Sequence, residues 1–263
     1  MKKISIFVIA ALFVACEQNE DPLKKNAIDS KIKVEVREYL DLNSRQLVLH
    51  CQTGKAYPCI NYPILTEQVF QKNKLSITFT SVLETDFCFT AIGPASTVIN
   101  LGNMVNGQYE LELNNAELKN KGTLKISGSE IVLDFKSQNG IEIVRQITKK
   151  IPAGTFWGTI GYHSESTIED VDKFLNKLND IEGVAFNKQV PGEYFYYEIN
   201  QNGDIVTNTE NSGYHFVKAF IFQYTGNDED KLKKEIDQLA APYFDDLYIN
   251  VETYKGERIY NWD

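Results

Sequence analysis

Phe156-Trp157-Gly158-Thr159-Ile160-Gly161-Tyr162 reads as a strand, and Ser166-Thr167-Ile168-Glu169 follows within a few residues. A hydroxyl three positions ahead of a glutamate is the pattern of a capping box, in which both side chains satisfy the first free amides of a helix. Ile168, Val171, Leu175 and Leu178 then recur at helical spacing, and Gly183 supplies a stop. Strands at 193–199 and 215–224, a helix at about 228–241 ended by Pro242, and a strand at 247–253 complete the order βαββαβ. Residues 153–263 are therefore expected to form an α+β ferredoxin-like domain, with additional strands at 204–207 and 258–262.

Upstream the periodicity is different. Lys149-Lys150-Ile151-Pro152-Ala153-Gly154 has none and marks a boundary. Before it, Ile32, Val34 and Val36, then Leu47 and Leu49, Leu75, Ile77 and Phe79, and Tyr109, Leu111 and Leu113 alternate with polar residues, as half-buried strands do. Leu124 and Ile126, 131–135 and 141–147 continue the series, with turn signals such as Asn106-Gly107 and Asn139-Gly140 between them. Seven to nine short strands without a helix predict an immunoglobulin-like β-sandwich over 31–150.

Apart from Cys16, the chain carries Cys51, Cys59 and Cys88. Cys51 ends a strand-like run, whereas Cys59 adjoins Pro58 and Cys88 precedes the Gly93-Pro94 corner. A bridge between Cys59 and Cys88 is preferred on these grounds, with Cys51 to Cys59 as the alternative. The segments Tyr57-Pro58-Cys59-Ile60-Asn61-Tyr62 and Cys88-Phe89-Thr90-Ala91-Ile92-Gly93-Pro94-Ala95 resemble uncharacterised lipoproteins of Bacteroidota. The resemblance covers about 120 residues, includes the preferred cysteine pair, and implies no known activity.

The N-terminus agrees with that resemblance. Lys2 and Lys3 precede an apolar run over 4–14, too short to cross a bilayer but of the length of a secretory signal. Phe13-Val14-Ala15-Cys16 resembles a lipobox, which implies a signal peptide at 1–15 and a lipid-bearing Cys16. Residues 16–30 read as a solvated tether, and the acidic Glu17, Glu20 and Asp21 resemble the export tags of surface lipoproteins in the same bacteria. The expected location is the cell envelope, with the lipid in the outer membrane and the chain exposed at the surface.

Charge is uneven. Residues 16–150 hold 16 Lys and Arg against 16 Asp and Glu, whereas 151–263 hold 9 against 20, a net charge of −11. A surface of that sign repels phosphate backbones, so nucleic acid is excluded as a partner and a basic protein or another envelope component is favoured.

The second region also holds 20 of the 31 aromatic residues. Val217, Ala219 and Ile221, like Leu247, Ile249 and Val251, share one parity and are expected beneath two helices. Phe216, Phe220, Phe222 and Tyr224, with Tyr248 and Tyr254, would then line an uncovered face able to bind a partner.

Residues suited to acid–base chemistry are few. His163 with Glu165 is the one acid–base pairing in view. Asn227-Asp228-Glu229-Asp230 precedes a helix, where capping accounts for it. No catalytic residue, metal ligand or cofactor site is assigned. The function expected is that of a non-enzymatic, lipid-tethered binding module, the alternative being an envelope hydrolase or its accessory subunit using carboxylates of the second domain.

Overall fold

The computed structural model describes residues 24–261 other than 43, 90 and 207–212. The expected signal peptide, Cys16 and most of the tether lie outside the described residues. Strand makes up 50% of the chain and helix 13%, so the protein is mainly β. Among the described residues no helix is long and apolar enough to cross a membrane.

The first eleven strands are β1 (Lys25–Asn26), β2 (Ile32–Leu40), β3 (Arg45–Tyr57), β4 (Ile64–Gln71), β5 (Lys74–Leu83), β6 (Gly93–Gly102), β7 (Gly107–Asn115), β8 (Lys121–Ile126), β9 (Glu130–Phe135), β10 (Ile141–Ile143) and β11 (Ile147–Lys149). They form two sheets. One runs β10-β2-β3-β6; the other runs β1-β5-β7-β8-β9-β11, with β4 also paired to β5. Pairing is antiparallel except between β5 and β7 and between β10 and β2.

The alternation explains why these sheets face each other. Ile32, Val34 and Val36 of β2, Leu49 and Cys51 of β3, Ile77 and Phe79 of β5, Leu111 and Leu113 of β7, and Leu133 of β9 meet in one buried cluster. At about 1.5–3 kcal/mol for each large apolar side chain removed from water, this cluster is the main source of stability here. Cys59 and Cys88 form a disulfide, with Cα atoms 5.3 Å apart. Closing a loop of about 30 residues contributes roughly 3–4 kcal/mol. Cys51 is free and buried, and burial pushes its thiol far above the usual range.

The remaining elements are β12 (Thr155–Tyr162), α1 (Ile168–Asn179), β13 (Val184–Ala185), β14 (Gly192–Glu193), β15 (Glu198–Ile199), β16 (Ile205–Val206), β17 (Phe216–Tyr224), α2 (Glu229–Ala240), β18 (Tyr248–Thr253) and β19 (Arg258–Tyr260). The antiparallel order β13-β17-β12-β18-β19 makes a third sheet, and both helices contribute to the core on one of its faces. β14, β15 and β16 form a separate three-stranded sheet.

Two local expectations are corrected. The stretch 193–199 is not one strand of the main sheet. Tyr194 N donates to Tyr197 O at 2.9 Å across a tight turn in which Phe195 takes φ 70°, so the chain doubles back and the edge of the main sheet falls to β13. Nor does Ser166 cap α1. Its hydroxyl is 2.7 Å from that of Ser164, and Ser164 accepts from Ser166 N at the start of a short 3-10 turn.

Candidate functional site

The aromatic residues of β17 lie on the helix side of the sheet, which reverses the expected parity. Phe220 and Phe222 are buried with Val171, Phe174 and Leu178 of α1 and Leu232 and Ile236 of α2, and Phe216 and Tyr224 pack against the same cluster. The cause is a difference in size between facing positions. Gly158 pairs with Phe220 across the β12–β17 ladder, and a Cβ at 158 would come within 2.8 Å of the Phe220 ring. The ring occupies the space that glycine leaves, and the larger side chains of β17 fill the deeper layer under the helices. On β18 the expectation stands: Ile249 and Val251 point to the helices, and so does Leu247 just before them.

The opposite face is largely covered as well. Trp157 and Ile221 are buried with Tyr194, Tyr197 and Ile199 of the small sheet, with Ile151, and with Leu40 at the end of β2. Polar contacts fix this junction. Arg45 donates from Nη1 to Ile151 O at 2.6 Å and from Nη2 to Tyr254 O at 3.1 Å. Ile151 N donates to the buried Glu38 carboxylate at 3.1 Å, and Tyr196 Oη donates to Glu38 O at 3.2 Å. Tyr254 therefore belongs to the junction rather than to a free face, and its hydroxyl donates to Glu229 at 2.6 Å. Arg145 joins Glu35 at 2.6 Å to Glu193 at 3.1 Å. Burial raises the Glu193 carboxyl above its ordinary range despite Arg145.

At one end of that face, among the described residues, His163 and His215 are exposed and Tyr214 and Tyr248 partly buried. Tyr214 lies flat on Gly161, where any Cβ would collide with its ring. The Tyr214 and Tyr248 ring centres are 4.7 Å apart, His163 stands 5.6 Å from Tyr214 and 5.9 Å from Tyr248, and the His163 and His215 rings meet edge to face at 5.2 Å. His215 Nδ1 is 3.1 Å from His163 O, which selects the tautomer protonated at Nδ1. His163 is exposed. Neither a family model, nor a curated protein, nor a solved structure matches this chain.

This corner offers ring faces for stacking and imidazole and phenol groups for hydrogen bonding. Zinc sites take three or four protein ligands, and among the described residues no three His, Cys, Asp or Glu side chains converge. The carboxylates near α2 are otherwise engaged. Asp228 accepts from Lys231 N at 2.9 Å as the helix cap, Glu229 pairs with Lys255 at 2.7 Å, and Lys233 joins Asp230 and Glu257, each at 2.7 Å. Burial raises the Glu229 carboxyl, but hydrogen bonds from Lys255 and Tyr254 outweigh this and hold it below the ordinary range. The Lys233 hydrogen bond lowers Asp230 likewise. A general acid needs the opposite shift, which Glu193 shows, but that carboxylate is paired with Arg145 at the junction.

The pointer to this corner in the sequence is Gly161, one of two glycines in β12. A glycine inside a strand marks close approach of another group.

Proposed function

We propose that this chain is a lipid-anchored protein of the cell envelope, of the kind its cysteine-bearing segments resemble, and that it acts as a non-enzymatic interaction module. The lipid on Cys16 would hold it at the outer membrane, at the cell surface. The observation that carries the contact reading is the cluster of His163, Tyr214, His215 and Tyr248, in which both imidazoles are exposed beside the two tyrosine rings. The net charge of −11 over 151–263 favours a basic partner.

The fold behind this reading is an immunoglobulin-like sandwich followed by a ferredoxin-like domain. Support for the second comes from the antiparallel order β13-β17-β12-β18, with α1 after β12 and α2 after β17, which is the split βαβ pattern with β19 and the small sheet added. Support for the first comes from two packed sheets around one core, to which the β5–β7 and β10–β2 parallel pairs are additions.

The test is capture of envelope components by the detergent-solubilised protein, comparing the native chain with a Tyr214→Ala/His215→Ala variant. Loss of the captured component, with little change in melting temperature, is the expected result. Undiminished capture by the variant would remove the corner from the account.

A further inference from the structure

Phe87, Phe89 and Ile92 are 70%, 55% and 81% exposed in one loop, and Ile60 is 45% exposed in the loop beside it. Large apolar side chains gathered in water mark a contact surface. Their described neighbours are tied together. The Cys59–Cys88 disulfide joins the two loops, Asn61 donates to Phe87 O at 2.6 Å and accepts from Phe89 N at 3.0 Å, and Ile60 N donates to Ala91 O at 2.8 Å. The Phe87 and Phe89 rings meet edge to face at 5.2 Å.

The position of these loops says what they face. Glu84 N donates to Lys24 O at 2.9 Å, and Lys24 Nζ pairs with the Glu84 carboxylate at 2.9 Å, so the incoming chain lies against this same pole. Lys24 is eight positions after Cys16, a reach of at most about 26–29 Å at 3.3–3.6 Å per residue. The third sheet lies at the other pole. β3 begins at Arg45, which binds Ile151 and Tyr254, and ends at Tyr57 beside the disulfide loop. Its thirteen residues span roughly 40 Å at about 3.3 Å each.

We propose that the disulfide-pinned loops are a second membrane contact, placing Phe87, Phe89, Ile92 and Ile60 in the headgroup region of the bilayer that holds the Cys16 acyl chains. The first two sheets then stand the His163 corner away from the lipid. This inference rests on the lipid-anchor reading. Lys24, Lys25, Lys31 and Lys55 against Asp29, Glu84 and Asp86 leave the pole near neutral, so apolar insertion into a zwitterionic interface, rather than attraction to anionic lipid, is the driving term. Phenylalanine and aliphatic side chains are what interfacial segments bury at the boundary of headgroups and acyl chains.

The test uses the full mature chain on zwitterionic phosphatidylethanolamine/phosphatidylcholine vesicles containing nitroxide-labelled lipid, with Phe89→Trp as the reporter. Emission added by this tryptophan, read as the difference from the parent chain, is expected to be blue-shifted and quenched. Palmitate incorporation, scored on the same preparation, reports separately on the anchor. Acylated, membrane-bound protein whose added emission is unquenched would overturn the inference while leaving the anchor intact. If the chain carries no palmitate, vesicle sedimentation decides: a loss of about tenfold or more in Phe87→Ser/Phe89→Ser/Ile92→Ser supports the loop contact. Equal sedimentation, or none by either chain, overturns it, as would loop-dependent capture of a protein without quenching.

Discussion

The guanidinium carbon of Arg37 lies 4.0 Å from the centre of the Phe195 ring, joining the first group of strands to the tip of the small sheet. Phe195 holds φ at 70°, a region that costs a non-glycine residue about 1–2 kcal/mol. The strain persists because the turn is pinned from both sides: Tyr194 and Tyr197 stack at 4.9 Å, and Tyr196 bonds Glu38 and Leu40.

Removing the Phe195 ring is therefore expected to cost more as Phe195→Ala than as Phe195→Gly. Both lose the Arg37 contact, worth about 0.5–2 kcal/mol, but glycine also relieves the backbone. A difference of about 1 kcal/mol in denaturant unfolding, with glycine the more stable, is expected. Alanine equal to or better than glycine would show that the turn is unstrained.

Phe220→Ala is expected to destabilise by about 3–5 kcal/mol, because the ring is buried between Gly158 and the two helices and its loss leaves a cavity. Tyr214→Ala, at the His163 corner, is expected to cost less than half as much. Thermal melts of the two variants check this. A mild Phe220→Ala would mean that the ring is not part of the helix-side core.

These two sites show what was legible in the sequence. Alternation at Ile32, Val34 and Val36, or at Leu111 and Leu113, fixes a face because the intervening residues are polar; only one choice buries apolar area. Along 216–224 both parities are apolar, so period two shows that both faces are covered but not by what. Periodicity alone leaves the aromatic face undecided, and Gly158 turns the rings toward the helices. β4 and β6 show no clear alternation for a related reason. Thr66, Glu67 and Gln68, and Ser96 and Thr97, carry pairing through the backbone with few side chains in the core. The disulfide was legible because loop residues surround both its cysteines. The His163 corner was not, since 163, 214 and 248 are neighbours only once β12, β17 and β18 are side by side.

Acid is expected to weaken the fold through its ion-paired glutamates. Hydrogen bonding to Lys74 holds Glu112 below its ordinary range, and Glu229 is lowered by Lys255 and Tyr254 despite its burial. A carboxylate with a depressed folded pKa contributes stability that is complete above its unfolded value, about 4.3, and is lost as the pH falls through the folded value. Unfolding free energy should therefore fall steeply below about pH 4.3, and Glu112→Gln/Glu229→Gln should flatten that fall while lowering stability at neutral pH. A variant with an unchanged acid slope would show that these pairs contribute nothing.

The account depends most on Cys16, and one measurement addresses it directly: radiolabelled palmitate incorporation followed by detergent-phase partition of the native chain and Cys16→Ser. The native protein is expected to carry label and enter the detergent phase, because several acyl chains at about 0.8 kcal/mol per methylene hold it in lipid. Cys16→Ser is expected to carry none and remain in the aqueous phase. An unlabelled native chain, or a Cys16→Ser chain that still partitions into detergent, would contradict the lipid-anchored reading.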